Sequence, residues 1–313
     1  MNMPSSPEPR PKPKVALIAG PTASGKSALA MALADRTPSV IINADSMQVY
    51  SDLRVLTARP SVEDEARHPH RLFGYIDGAE ACSAARWAND AKAAIAEAHA
   101  IERLPILVGG TGLYFRTLLD GIAPVPEIDA DIRAAVRALP VADAHAALTG
   151  EDSEAAARLA PADTTRVARA LEVVRSTGRT LKDWQRFRVG GIADDISLAP
   201  LILLPPRDWL YARIDARFEG MFSDAYDEAS ALRARNLPIK SPVLGAIGLH
   251  VLDPVFLRDM GKPCAIATGQ MDTRQYAKRQ YTWFRRQMPQ TWERTSETET
   301  SNQLILFDRL LQH

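Results

Sequence analysis

Val15-Ala-Leu-Ile-Ala-Gly-Pro-Thr-Ala-Ser-Gly-Lys-Ser27 is the stretch that decides the fold. Apolar residues Val15 to Ala19 run straight into Gly20, Pro21, Thr22, Ala23, Ser24, Gly25, Lys26 and Ser27, and Ala28 to Arg36 is then built of good helix formers. The order is strand, glycine-bearing loop, helix. The loop satisfies G-x-x-x-x-G-K-S/T. In that pattern glycines let successive N–H groups turn inward, the helix N-terminus adds its dipole, Lys26 adds a charge and Ser27 offers a hydroxyl to Mg²⁺. Such a loop cradles a di- or triphosphate. An ordinary glycine turn is the weaker reading, because both flanking elements match. The loop alone does not say which phosphate compound it holds.

Outward from the loop, a second apolar run, Val40 to Ile42, ends in the polar cluster Asn43-Ala-Asp-Ser46. A third, Pro105 to Val108, ends in Gly109-Gly-Thr-Gly112 and leads into the helical Leu113 to Leu119, with the alanine-rich Ser83 to Arg103 before it. Strands alternating with helices predict a parallel sheet covered on both faces, with ligands gathering at the carboxyl ends of its strands. From about Pro124 the texture changes. Asp129–Leu139, Val141–Leu148, Glu151–Leu159, Thr164–Ser176 and Thr180–Arg188 read as short amphipathic helices with no β-branched run between them. Strand character resumes at Leu201 to Leu204, followed by a long charged helix, Arg207 to Arg235. The predicted fold is therefore α/β, a parallel sheet flanked by helices and interrupted by an all-helical insertion domain. Its edges are placed at prolines: a disordered tail over 1–13, a catalytic core over 14–124 and 200–313, and the insert over 125–199.

The 313 residues suffice for a large core, and 46% hydrophobic with 24% charged residues excludes disordered, collagenous and coiled-coil classes. No apolar run approaches the ~18–20 residues of a membrane span, so no membrane partner is expected. The first 14 residues hold five prolines and no apolar signal core, which fits a cytoplasmic protein. Two cysteines, Cys82 and Cys264, make no disulfide framework or zinc site. The 38 basic and 38 acidic residues cancel, so a nucleic-acid partner would need a local basic patch.

Asn43-Ala-Asp-Ser-Met-Gln-Val-Tyr50 follows the second strand, which sends Asp45 toward the crevice of the phosphate loop. With that loop, Val108-Gly-Gly-Thr-Gly-Leu-Tyr114, Asp163-Thr-Thr-Arg-Val-Ala-Arg-Ala-Leu-Glu172, Arg213-Ile-Asp-Ala-Arg-Phe218 and Asp272-Thr-Arg-Gln-Tyr-Ala-Lys-Arg-Gln-Tyr-Thr-Trp-Phe-Arg285, the chain closely resembles the tRNA dimethylallyltransferase family. The resemblance runs from about Val15 to Arg286 in family order and implies a P-loop NTPase-like core.

It further implies transfer of a five-carbon prenyl group from dimethylallyl diphosphate to N6 of the adenosine at position 37, beside the anticodon, of tRNAs reading codons that begin with U. Asp45 matches the family's general base, although a turn or helix-cap residue is the plainer reading. Thr111 matches a threonine at the reacting groups, against a plain role as a cap for the helix near Leu113. Arg217 matches an arginine that approaches the diphosphate, against a solvated place on a charged helix. Gly20 to Ser27 with Mg²⁺, bound through Ser27, would hold the diphosphate. Implied tRNA contacts are Asp45, Ser46, Met47, Gln48, Thr111, Arg133, Thr165, Arg166, Val167, Ala168 and Arg169. The basic and aromatic run near the C-terminus adds Arg274, Lys278 and Arg279 for RNA, with its rings expected to be mostly structural, and a monomer is the default expectation.

The chain departs from the family where Leu56-Thr-Ala-Arg-Pro60 stands for Gly-Thr-Ala-Lys-Pro, and where Gly245-Ala-Ile-Gly-Leu-His250 lacks a Gly-Tyr. Two other classes stay open on the residues alone. A P-loop kinase would use ATP and treat the insert as a lid carrying Arg166 and Arg169, and an RNA-binding module would consume nothing.

Overall fold

The computed structural model describes residues 11–312, so ten residues of the expected tail lie outside it. The strands are β1 (Lys14–Ala19), β2 (Ser39–Asn43), β3 (His70–Arg71), β4 (Leu104–Gly109), β5 (Ser197–Leu203) and β6 (Glu293–Thr295). They form one parallel sheet in the order β3-β2-β4-β1-β5-β6. The short outer strands β3 and β6 carry too little apolar pattern to be read from sequence.

Two helices, α1 (Lys26–Ala34) and α12 (Thr300–Gln312), cover one face. There Ala16, Ile18, Leu29, Leu33, Ile106, Leu201, Leu304 and Phe307 share one buried cluster. Val15 and Leu17, which alternate with Ala16 and Ile18, are also fully buried, so water reaches neither face. Along β2 and β4 lies α3 (Ala84–Ala100). Its Trp87 stacks on Tyr114 at 4.4 Å and donates an indole N–H to the Asn43 carbonyl, 2.8 Å. A short helix, α2 (Val62–Arg67), is closed by a reciprocal Ser61–Asp64 capping box. The chain leaves the sheet for the insert along α4 (Gly112–Asp120).

Register sets where the loops meet. Ala19 lies opposite Gly109, and Asn43 opposite Val108. Hence β1, β2 and β4 end at one height, and the segments that follow them emerge together.

The chain divides into two compact units, one ending at Leu118 and resuming at Ala193, the other spanning Leu119–Ile192. These edges differ from the proline-based ones. Pro200 is no boundary: it sits inside β5 opposite Leu17, one residue before β6 begins to pair at Leu201. One side of β5 is still open there, so the missing N–H costs no ladder bond. Pro105 in β4 is placed alike, before β1 joins at Ile106. Pro13, expected in the tail, accepts the Ser197 N–H at 2.9 Å.

The second unit holds α5 (Ala130–Ala138), α6 (Val141–Glu151), α7 (Ser153–Arg158), α8 (Thr164–Thr177) and α9 (Leu181–Gln185). Side chains of Asp129, Asp152, Asp163 and Thr180 cap α5, α7, α8 and α9. Its core is Val136, Ala144, Leu148, Ala155, Ala156, Val167, Ala170 and Leu171.

In the first unit, α10 (Arg207–Ala234) packs against α11 (Pro254–Gln287), which breaks at Gly261, where φ is 76° and ψ 157°. Pro263 then opens the second half, where no helical N–H is lost. From α10, the Glu228 carboxylate accepts the consecutive N–H groups of Arg54, Val55 and Leu56 at 2.7–3.0 Å. That contact fixes the segment that carries Leu56, Thr57 and Ala58. Replacing Glu228 by Ala leaves three half-buried donors without their acceptor and should lower unfolding stability by about 1–3 kcal/mol, read by urea denaturation.

Candidate active site

The three loops at the carboxyl ends of β1, β2 and β4 enclose a cavity of about 460 Å³ with help from α10 and α11. From the first loop come Thr22 to Ser27, from the second Asp45 to Gln48, and from β4 Val108 and Gly109. α10 supplies Arg213, Arg217 and Met221; α11 supplies Thr273 and Tyr276. Leu56, Phe73, Met221 and Ile247 give the chamber an apolar wall.

The phosphate loop is shaped by its backbone. Gly25 takes φ 95°, a left-handed value no L side chain adopts without strain, and delivers the chain into α1 at Lys26. Lys26 Nζ donates to the Pro21 carbonyl at 2.6 Å, and the loop encloses the ammonium. Burial pushes its pKa down to about 8, with Asp45 opposing that shift and Arg217 adding to it. Arg217 donates through Nη2 to Thr22 Oγ1 at 2.8 Å, while its Nε is buried with no partner. Burial and nearby Arg213 lower its pKa too, against the pull of Asp45. Ser24 Oγ is a second buried polar atom without a partner. A loop of this shape with orphaned polar atoms is suited to an anion with several oxygens.

Asp45 is both a turn residue and a cavity residue. Its Oδ1 accepts the Met47 N–H at 2.9 Å, closing an Asx turn, and its own N–H donates to Asn43 Oδ1 at 2.8 Å. The carboxylate thus has one oxygen fixed by the turn, on a segment that lines the chamber. Tyr276 stands close by: its pKa is raised by burial and then by Asp45, so the phenol stays protonated. The Thr111 hydroxyl caps no helix. It accepts the Ser46 N–H at 2.9 Å and donates to Ser46 Oγ at 3.2 Å, tying the β4 loop to the Asp45 loop from outside the cavity lining.

The remaining expected residues scatter. On α11, Lys278 and Arg279 are exposed and line a surface groove with Thr282, Trp283 and Arg286. Arg274 is ion-paired with Asp215, so its charge is already committed. Three of the rings on that helix serve packing. Phe284 is buried, Tyr281 donates to the Leu204 carbonyl, and Trp283 fills the space a side chain at Gly112 would need.

Within the insert, Thr165 is exposed and Arg166 is 76% exposed beside Asp163. Arg169 lies 4.0 Å from the buried Glu172, which also holds Arg137 at 2.8 Å, and Arg133 is half-buried. Ala168 is half-buried, but Val167 needs correction as an RNA contact. At 1% exposure its side chain belongs to the insert's core, because a helix must turn one residue in three or four inward.

Sequence reasoning missed Asn43, whose amide donates to the Asp45 and Leu72 carbonyls, and Gln280, which bridges two of the loops. Gln280 had a signal. It occupies the buried register of α11 with Thr273, Ala277 and Phe284, where a polar side chain needs partners.

Comparison with known proteins fits this geometry. Residues 48–287 match the family model described as IPP transferase. The chain is 61% identical over 286 residues to the tRNA dimethylallyltransferase of Sphingopyxis alaskensis, covering 91% of this chain and 94% of that one. It is 57% identical to that of Erythrobacter litoralis, covering 96% and 97%. Among solved structures it is similar to the tRNA isopentenylpyrophosphate transferase of Bacillus halodurans, with TM-score 0.66, 31% identity and coverage of 96% and 99%. It also resembles a eukaryotic dimethylallyltransferase described as acting on tRNA, with TM-score 0.75, 26% identity and coverage of 87% and 70%.

A lysine whose folded pKa falls to about 8 from 10.5 is charged below that value and neutral above it. A bound anion favours the charged form, so anion affinity is complete below about pH 8 and declines as pH rises through it. In the window between the two values the unfolded chain binds the extra proton, so this group's contribution to folding stability rises with pH. Calorimetry with inorganic pyrophosphate should therefore show affinity about tenfold weaker near pH 9.5 than near pH 7, and Lys26→Met should remove most of that dependence.

Proposed function

The chain belongs to the IPP transferase family and has tRNA dimethylallyltransferase activity, and from that premise we propose that the crevice above its sheet is where transfer occurs. The Gly20–Ser27 loop, Lys26 and Arg217 hold the diphosphate of dimethylallyl diphosphate, and the apolar wall of Leu56, Phe73, Met221 and Ile247 takes the hydrocarbon. The acceptor is N6 of adenosine 37 in tRNAs that read codons beginning with U, flipped out of the anticodon loop so that its edge reaches Asp45. As N6 attacks C1 of the donor, the C1–O bond breaks and diphosphate departs with the bonding electron pair. The N6 proton passes to the Asp45 carboxylate. The products are N6-(dimethylallyl)adenosine and diphosphate.

The residues divide the work. An exocyclic amine is a weak nucleophile, so a carboxylate at hydrogen-bond range accepts the proton as the N–C bond forms. Charge growing on the diphosphate is met by Lys26, by Arg217 with its unpartnered Nε, and by the N-terminus of α1. Thr111 holds the Asp45 segment in place through Ser46.

Among the described residues no group of three or more His, Cys, Asp or Glu could hold a metal ion. A cation here would rest on Ser27 and on the diphosphate's own oxygens, a donor set that suits Mg²⁺, which binds phosphate and keeps waters. When bound, it would supply further positive charge to the leaving group. tRNA would be gripped by exposed Arg166 and half-buried Arg169 of the insert and by Lys278 and Arg279 of α11, acting mainly on phosphates. The working form is a cytoplasmic monomer; among the described residues no helix is long and apolar enough to cross a membrane.

The observation that carries this reading is the lining of one chamber by the phosphate loop, an apolar wall and Asp45. Nucleoside mass spectrometry of a tRNA incubated with the protein, dimethylallyl diphosphate and Mg²⁺ should show the prenylated adenosine at position 37. Asp45→Ala should slow its formation by about 10²-fold or more while tRNA affinity stays within about threefold. Undiminished turnover in that variant would remove Asp45 from the role of base. Consumption of ATP without prenyl transfer would favour a kinase.

A further inference from the structure

Gln280 sits on α11, far along the chain from every loop that forms the chamber, and is 6% exposed. Its Oε1 accepts the Thr22 N–H at 2.8 Å, and its Nε2 donates to the Gly110 carbonyl at 2.9 Å. Only one orientation of the amide satisfies both, because a backbone N–H can only donate and a carbonyl can only accept. A single planar group therefore links the phosphate loop after β1 to the loop after β4.

Both ends of the link lie beside the chemistry. Thr22 is held a second time by Arg217, which donates to its hydroxyl at 2.8 Å, so the middle of the phosphate loop is clamped between α10 and α11. A Cβ placed on Gly110 would lie 2.3 Å from Gln280 Nε2 and 3.3 Å from Asp45 Oδ2. The Gln280 amide and the Asp45 carboxylate thus flank the space that a Cβ on Gly110 would take, and a glycine there leaves room for both. The next residue, Thr111, holds the Asp45 segment through Ser46.

We propose that Gln280 is a positioning residue for prenyl transfer: it sets the distance between the bound diphosphate and the carboxylate that takes the N6 proton. This rests on reading the chamber as the transfer site. The donor carbon must meet N6 while the diphosphate stays seated in its loop and Asp45 stays within reach of the same nitrogen. Those two anchors sit on different loops, and Gln280 bonds to the loop of one and to Gly110 beside the other. Transfer steps are sensitive to this kind of error, since a misplacement of about 1 Å costs on the order of 10²-fold.

The alternative is that Gln280 merely fastens α11 to the sheet. Two variants separate these roles. Gln280→Glu keeps an oxygen for the Thr22 N–H but sets a carboxylate oxygen against the Gly110 carbonyl. Gln280→Leu abandons both partners. Steady-state kinetics with dimethylallyl diphosphate and tRNA should show Gln280→Glu with donor KM within about threefold of the parent and kcat about 10²-fold lower.

Gln280→Leu should lower kcat by a similar factor and raise donor KM. A fastening role would lower the thermal midpoint while the folded fraction kept the parent's kcat and donor KM, and that result overturns the proposal.

Gly110→Ala guards against misfolding of either variant. It pushes on the amide from the other side with Gln280 still present, and it should reproduce the loss in kcat. Parent-like kcat there would count against the link. If the parent protein itself forms no prenylated adenosine, the proposed function has failed, and Gln280 is not the cause.

Discussion

The site is organised around an imbalance of charge. Three cationic side chains, Lys26, Arg213 and Arg217, line the chamber, and Asp45 is the one carboxylate among its lining residues. Removing cations from water is unfavourable unless an anion meets them, and the cost is visible in the lowered pKa values of Lys26 and Arg217. The fold maintains this arrangement because the loop residues and α10 are fixed by interactions elsewhere, including the buried sheet on one side and Glu228 on the other. On the proposed reading a multiply charged diphosphate resolves the imbalance, and its departure as a leaving group would take place where positive charge already waits.

Much of this was legible in the residue order. Val15 to Ser27 announces β1, its loop and α1, and the apolar runs at Val40 and Pro105 fall inside β2 and β4. The five short helices of the insert were readable for the same reason, since α5 to α8 each place residues in the insert's core and four of the five have a side-chain cap at the first turn. Legibility ended where tertiary context outranks local pattern. β3 and β6 are two and three residues long and are defined by the neighbours they pair with. Pro200 looked like a boundary because proline usually ends an element, yet an unpaired side of β5 accommodates it. At the site, the phosphate loop and Asp45 carry a pattern with a direct chemical reading, whereas Asn43 and Gln280 bond to other residues of the site. Register places Gln280 in the interior of its helix, and only folding shows what it meets there.

The same distinction explains the fate of Thr165 to Arg169, the contiguous segment expected to contact RNA. A helix presents such a run to all sides. Arg166 and Arg169 reach solvent, and Val167 is spent on the insert's core. Glu172, buried beneath that face, holds Arg137 and lies near Arg169, which limits the freedom of two long side chains and orders them before any phosphate arrives. The core of Val136, Leu148 and Leu171 and the arginine face are therefore two aspects of one packing arrangement.

The choice between prenyl and phosphoryl transfer turns on where the carboxylate stands. Nucleotide-cleaving P-loop sites hold their metal with an acid at the end of a strand beside the phosphate loop. Of the two strands beside β1, β4 ends in Gly109-Gly110-Thr111 and β5 runs into Leu204-Pro205-Pro206, with no acid at either. Asp45 sits beyond β4, after β2, with Oδ1 engaged in its own turn and Oδ2 beside Gly110. A carboxylate set back in this way is poorly placed to serve the phosphates and better placed to serve whatever approaches them. The apolar wall points the same way, because Leu56, Phe73, Met221 and Ile247 would give a ribose hydroxyl nothing to bond and give a hydrocarbon a dry surface.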